Sequence, residues 1–190
     1  GGEAGGHRSH FEKPHSPEVG AVGTLTLVPQ VVDAVRIPVI AAGGIADGRG
    51  VVAAVALGAS GVLMGTRFVA TRESLAREMY KKTLLERSAD ETTVTDVFSG
   101  RYARALKNAF TERYTNSGAP VLPFLWQYLA ATDIHRAATT QANPDYVPMW
   151  AGQSVGLIHN MPSVVEVMER IIQEARSLLT QRIPQAVELD

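Results

Sequence analysis

The chain reads as α/β, built on consecutive buried parallel strands, and three observations predict this. The first is Pro38-Val39-Ile40-Ala41-Ala42-Gly43-Gly44-Ile45, a short apolar run that reaches a pair of glycines. The second is Gly61-Val62-Leu63-Met64-Gly65-Thr66, which repeats the pattern. The third is that each run is flanked by a helical pattern, as in a strand–helix–strand unit. In such folds ligands sit where the strands end. Glycine at that point lets bare backbone N–H groups approach a phosphate closely. The competing reading is that the glycines only make tight turns. One such turn would favour it; two in series favour a phosphate-bearing ligand.

The elements follow in order. Residues 1–23 are loop-like, rich in Gly and His, with Pro14 and Pro17. A helix is expected over 27–35, with Thr26 as N-cap and Pro29 tolerated in the first turn. A strand covers 39–42. Asp47 is placed to cap the next helix, 48–57, which Gly58 ends. The second strand covers 61–65. A helix over 73–87 carries Leu75, Met79 and Leu84 on or near one face.

From 88 to 162 the strand–glycine–helix rhythm stops. A β-rich piece at 93–98 leads into a helix at 102–114, closed by Asn116-Ser117-Gly118. A second helix runs from 124 to 141, where Asn143-Pro144 breaks it. Trp126, Tyr128, Tyr146 and Trp150 concentrate aromatics here, and the region reads as a helical insertion or lid. Beyond Pro162, Ser163 with Glu166 makes a capping box. Val164, Val167, Met168, Ile171, Ala175 and Leu178 then recur at helical spacing. So long a stripe must pack on something, and the expected receiver is the sheet of the first segment. The division is therefore 1–87, 88–162 and 163–190.

Composition bounds the function. The chain has 190 residues, 45% of them hydrophobic, with a mean hydropathy near zero, which suits a soluble globular protein with a real core. Eighteen basic residues against 19 acidic ones imply no basic face, so nucleic acid is not the expected partner. No apolar run is long enough for a membrane span, and no signal-peptide pattern opens the chain. The absence of cysteine excludes disulfides, thiolate metal sites and a cysteine nucleophile. A reducing, cytoplasmic setting is compatible with that. The opening Gly1-Gly2-Glu3-Ala4-Gly5-Gly6-His7 has no methionine and no preceding strand, and reads as a loop whose strand lies upstream.

At this point a resemblance becomes specific. Glu3-Ala4-Gly5-Gly6-His7-Arg8 resembles the glycine–histidine loop of the nitronate monooxygenases, formerly called 2-nitropropane dioxygenases. Leu27-Val28-Pro29-Gln30-Val31-Val32 and the stretch from Ile37 to Gly50 are similar to the same family. So are the stretch from Leu57 to Phe68, Phe98-Ser99-Gly100-Arg101 with Ala103-Arg104, and Trp150-Ala151-Gly152-Gln153. The matches run in order across nearly the whole chain. The resemblance implies the C-terminal part of an FMN-binding TIM (β/α)8 barrel with a small helical domain inserted after the last strand. Residues 1–87 then form the FMN-phosphate side of the barrel, 88–162 the inserted lid, and 163–190 the final barrel helix and tail. The two strands become the seventh and eighth, whose following loops hold phosphate in such barrels. Two departures stand out. Six earlier strands are expected upstream, since a barrel takes about 250 residues, and the family tends to have glycine where Ser9 stands.

The candidate site follows from both lines. Gly43, Gly44, Met64, Gly65 and Thr66 are expected to hold the FMN phosphate, with the Thr66 hydroxyl as a further donor. Gly5 lets its loop pass close to the flavin, and His7 is the candidate catalytic residue. A histidine on such a loop can act as a base or hold an anion near neutral pH. The resemblance implies that His7 takes the proton next to the nitro group of a nitroalkane, or orients a nitronate. The competing reading is a solvated loop histidine. A metal site from His7, His10, Glu12 and His15 is not favoured, because the spacing is irregular and zinc needs three or four converging ligands. Arg67 is balanced between phosphate partner and surface charge, Gln153 between lid contact and local turn, and Arg101 with Arg104 reads as helix-surface charge.

The expected function is an FMN-dependent oxidation of alkyl nitronates with O2 to a carbonyl compound and nitrite. The alternatives are an NAD(P)H-dependent flavin reductase of the quinone or enoyl-thioester type, or a truncated inactive fragment that aggregates, oligomerises or binds FMN poorly alone. The partners are the small substrate and O2, with no nucleic acid and no membrane; the resemblance leaves a homodimer and the physiological substrate open.

Overall fold

In the computed structural model, residues 1–8, 18 and 20–187 are described. Ser9, His10, Glu12 and His15 lie outside them. Thirteen α or β elements follow in order among the described residues: β1 (Gly6–His7), α1 (Thr24–Ala34), β2 (Ile40–Ala42), α2 (Gly48–Ala56), β3 (Gly61–Leu63), α3 (Thr66–Val69), α4 (Glu78–Glu86), β4 (Thr92–Thr95), β5 (Ala103–Leu106), α5 (Ala109–Ser117), α6 (Trp126–Thr140), α7 (Val164–Ser177) and α8 (Ile183–Ala186). They make two sheets. β2 and β3 pair in parallel, Ile40 opposite Gly61 and Ala42 opposite Leu63. β1, β5 and β4 form an antiparallel sheet in that order. No helix among the described residues is long and apolar enough to cross a membrane.

The β2–α2–β3 unit is as the sequence predicts. Asp47 Oδ1 accepts from Gly50 N–H at 3.1 Å, the expected cap, and its other oxygen takes the Arg49 guanidinium. Burial pushes the Asp47 carboxyl up, but these bonds outweigh it and hold it below its ordinary value. Val28, Ala41, Ile45, Ala54 and Ala59 form the local core.

Four expectations need correction. The first helix starts at Thr24 rather than 27, and Thr26 is not its cap. The Glu3 carboxylate accepts from Thr24 N–H at 2.9 Å and closes that helix end from the opening loop, leaving Pro29 in the second turn. The helix expected over 73–87 forms only from Glu78. Ser74 Oγ accepts from Ala76 N–H at 3.2 Å, a local bond that competes with helix, and Leu75 is fully exposed. Residues 103–106, read as helix, are a strand that pairs antiparallel with β4, Thr92 opposite Leu106 and Thr95 opposite Ala103, and with β1 on its other side. The segment from 88 to 162 thus carries antiparallel strands beside its helices.

The final helix keeps its predicted capping box, Ser163 with Glu166. Its receiver, however, is α2 and not a sheet. Gly48 makes that contact close: a Cβ there would lie 2.6 Å from Ala175 N, and its N–H donates to Glu174 at 2.8 Å. Only Val167 and Ile171 of the stripe are fully buried.

Two more cores tie the molecule together. Ala46, Ala70, Leu84, Leu106, Met149, Ala151, Val155 and Ile158 join residues 1–87 to the segment from 88 to 162. Phe98, Phe110 and Ala131 centre the third, with the Phe98 and Phe110 rings stacked at 5.3 Å.

Candidate functional site

The opening loop threads between the parallel strand ends and the antiparallel sheet. Glu3 anchors one side: its carboxylate holds Thr24, whose hydroxyl also lies 2.9 Å from the Gly43 carbonyl. Burial raises the Glu3 pKa, but hydrogen bonds from its own backbone and from Thr24 prevail and hold it below its ordinary value. The Glu3 carbonyl accepts from Gln153 N–H at 2.9 Å. On the other side, Arg8 and Arg104 both donate to the Gly2 carbonyl, at 2.7 Å and 3.0 Å, and Arg101 Nε donates to the Arg8 carbonyl at 2.9 Å. Arg101 and Arg104 are therefore clamps on the loop, and the helix-surface reading of them does not hold.

This threading gathers the predicted glycines. Gly5, Gly43, Gly44, Gly65 and Thr66 line one cavity of about 130 Å³, together with Ala4, Ala42, Ile45, Leu63, Gly152 and Ser154. Gly43 and Gly44 sit at φ of 108° and 71°, the left-handed region that side chains disfavour. Gly5 passes so close to the 151–152 backbone that a Cβ would lie 2.7 Å from Gly152 N. Gly65 differs from both. Its φ is −88°, and a Cβ there would meet nothing within 4 Å. Neither the backbone nor packing among the described residues requires glycine at 65; a side chain would occupy open space. Thr66 Oγ1 accepts from Gly152 N–H at 3.0 Å, which leaves its own proton to donate.

Three candidates fall elsewhere. Met64 does not line the cavity, and its side chain packs on the Val28–Ala41 core. Gln153 does not line it either, though Gly152 and Ser154 beside it do. Arg67 is buried, not a surface charge, and donates to the carbonyls of Ala70 and Asn160 at 2.7 Å and 2.8 Å. Burial, then nearby Arg170, lowers its pKa.

His7 stands two residues beyond Gly5, on β1, fixed by pairing with Ala103. His7 is exposed, with Trp150 at 5.0 Å and Phe124 at 5.7 Å between ring centres. The Tyr80 hydroxyl donates to the Trp150 carbonyl and holds that residue in place. Nε2 of His7 lies 2.8 Å from Ser99 Oγ. Burial of the packed edge, then the charge of Arg101, lowers the His7 pKa. Both effects favour the neutral ring, the form that can accept a proton. The contacts of Ser99 with His7 and of Glu3 with Thr24 escape sequence reasoning because the partners lie 92 and 21 positions apart.

The family description that matches residues 1–174 is nitronate monooxygenase. A probable nitronate monooxygenase of Staphylococcus haemolyticus is 40% identical over 180 residues, which are 95% of this chain and 50% of that protein. A nitroalkane oxidase structure from Streptomyces ansochromogenes superposes with a TM-score of 0.79 at 34% identity, covering 94% of this chain and 51% of that one. FabK from Thermotoga maritima superposes with a TM-score of 0.76 at 33% identity, covering 98% and 56%. The chain spans about half the length of the curated relatives it matches.

Proposed function

The chain belongs to the nitronate monooxygenase family, and on that footing we propose that it carries the phosphate-holding and proton-handling part of an FMN-dependent nitronate monooxygenase. Residues 1–87 and 163–190 would be the C-terminal part of a TIM barrel, and 88–162 its inserted domain. The observation that carries the reading is Gly65, whose missing side chain leaves open space at a strand end beside Gly43 and Gly44. A cavity of about 130 Å³ suits a phosphate group and is too small for a whole flavin, since sites for whole organic ligands run to about 300–1,000 Å³.

When bound, FMN would supply the one-electron redox chemistry by which a nitronate and O2 give a carbonyl compound and nitrite. The rest falls to this chain. Gly44, Gly65 and Thr66 hold the phosphate through close backbone approach and one hydroxyl. Asp47 does not oppose it, since its carboxylate is occupied by Gly50 and Arg49. Trp150 and Phe124 would give the His7 region an apolar wall for an alkyl substrate. With a neutral nitroalkane, His7 takes the proton from the carbon bearing the nitro group. With a preformed nitronate it orients the anion.

The experiment is Gly65→Val in the FMN-binding protein. Overfilling a fitted site costs about 1–3 kcal/mol, or roughly 5- to 150-fold in affinity. Flavin content should fall by that order while the melting temperature of the flavin-free protein stays unchanged. Full flavin content in the variant would remove this cavity from the cofactor site. A second reading has one observation in its favour, the superposition on FabK: an NAD(P)H-dependent flavin reductase. Rapid bleaching of the flavin on anaerobic addition of NADH would favour that reading.

A further inference from the structure

Proton transfer to His7 requires one ring nitrogen to be free, and the surroundings of Ser99 select it. Ser99 is buried in the turn between β4 and β5. Its backbone is held on both sides: its N–H donates to the Asp96 carbonyl at 3.1 Å, and its carbonyl accepts from Leu125 N–H at 3.1 Å. Its Oγ lies 2.8 Å from His7 Nε2 and 3.2 Å from the Arg101 carbonyl oxygen. A serine hydroxyl has one proton. The Arg101 carbonyl can only accept, so that contact is a hydrogen bond only if Ser99 donates it. Ser99 then offers lone pairs to His7, and Nε2 must carry the proton. The reverse assignment would turn hydroxyl lone pairs onto the carbonyl oxygen. One assignment alone satisfies both contacts, and it leaves the neutral imidazole with its lone pair on Nδ1. Among the described residues Nδ1 has no hydrogen-bond partner. Arg101, the charged side chain acting on this ring, has its Nε committed to the Arg8 carbonyl.

We propose that Ser99 is a positioning residue that fixes His7 as the Nε2–H tautomer, so that Nδ1 is the atom that takes the α-proton of a neutral nitroalkane. The inference rests on the reading of His7 as general base. In the step, the C–H bond next to the nitro group breaks, its electron pair forms the C=N bond of the nitronate, and the N=O π pair moves onto the nitro oxygen, which takes the negative charge. The proton forms an N–H bond at Nδ1. The imidazolium still donates Nε2–H to Ser99, as the neutral ring did, so no hydrogen bond at that nitrogen has to be remade during the transfer.

The test is ¹⁵N NMR of the histidine-labelled, FMN-loaded protein, with the His7 signals assigned by their loss in His7→Gln. Above the His7 titration, the wild type should show the Nε2–H tautomer. Ser99→Ala should give a mixture of tautomers, and Ser99→Thr should restore the single form. Turnover of a neutral nitroalkane should fall about tenfold in Ser99→Ala, a fraction of the ~10²–10⁴ that a general base contributes, with a smaller change on the preformed nitronate. An Nδ1–H tautomer in the wild type, or an unchanged tautomer in Ser99→Ala, would overturn the role of Ser99 while leaving His7 as base. The expected tautomer with turnover indifferent to both His7→Ala and Ser99→Ala would instead overturn the general-base reading, and with it the assignment of Nδ1.

Discussion

At the ends of β2 and β3 the candidate site is made of backbone, while on the antiparallel sheet it is made of side chains. Gly43, Gly44 and Gly65 contribute no atoms beyond the main chain. His7, Ser99, Trp150 and Phe124 act through their rings and a hydroxyl. The two regions also differ in cover. Phe98 and Leu106, around β4 and β5, are 0% exposed, whereas Ile40 of β2 and Leu63 of β3 are 56% and 61% exposed. Parallel strands normally bury both faces. The bare apolar face of β2 and β3 therefore suits strands that belong to a larger parallel sheet, as the proposed barrel requires. A site so divided should separate under mutation: changes on the parallel pair alter cofactor binding, and changes on the antiparallel sheet alter chemistry.

The largest separation is expected at His7. His7→Ala should lower turnover of a neutral nitroalkane by about 10²–10⁴-fold while FMN content, read from absorbance, stays near wild type. The loss on a preformed nitronate should be smaller, because no carbon has to be deprotonated. Equal, near-wild-type rates on both substrates would remove His7 from the mechanism and erase the contrast.

The contrast in cover comes next. Phe98→Ala removes a fully buried ring and should cost about 3–5 kcal/mol. Leu63→Ala, on the bare face, should fall within about 0.5 kcal/mol in this chain. Denaturant melts of the two variants measure the difference directly. A large loss from Leu63→Ala would mean that something in the chain covers β3 after all.

How much of this could be read from sequence follows the same division. The β2–α2–β3 unit, the Asp47 cap, the glycine strand ends and the Ser163 capping box rest on neighbouring residues, so local pattern finds them. The strand at 103–106 does not announce itself, because Ala103 and Ala105 favour helix and only pairing with β1 and β4 makes the segment a strand. The cap of α1 is equally hidden, since Glu3 reaches it from 21 residues away. Gly5, Gly43, Gly44, Gly65 and Thr66 come together as expected, and Met64 does not, because its side chain turns into the core beneath the strands. Ser99 was visible only as part of a family motif; its contact with His7 spans 92 positions.

The smallest expected effect is one of pH. The Glu3 carboxyl is held below its ordinary value in the folded chain, so its contribution to stability is fully present above the unfolded carboxyl pKa and is lost as pH falls through the lower, folded one. Glu3→Gln should flatten the acid limb of a melting-temperature profile below about pH 4.5 and leave the neutral region unchanged. An identical acid limb in the variant would show that the tie between the opening loop and α1 does not depend on the charge.

The central claim is that the glycine-lined strand ends hold a phosphate. Titration of the flavin-free protein with FMN and with riboflavin, which lacks only that group, tests it most directly. FMN should bind at least about tenfold more tightly, since charge-assisted hydrogen bonds contribute about 1.5–3 kcal/mol, and inorganic phosphate should compete with FMN more than with riboflavin. Gly65→Val should bring the two affinities together by weakening FMN alone. Equal affinity for FMN and riboflavin in the unaltered protein would contradict the account.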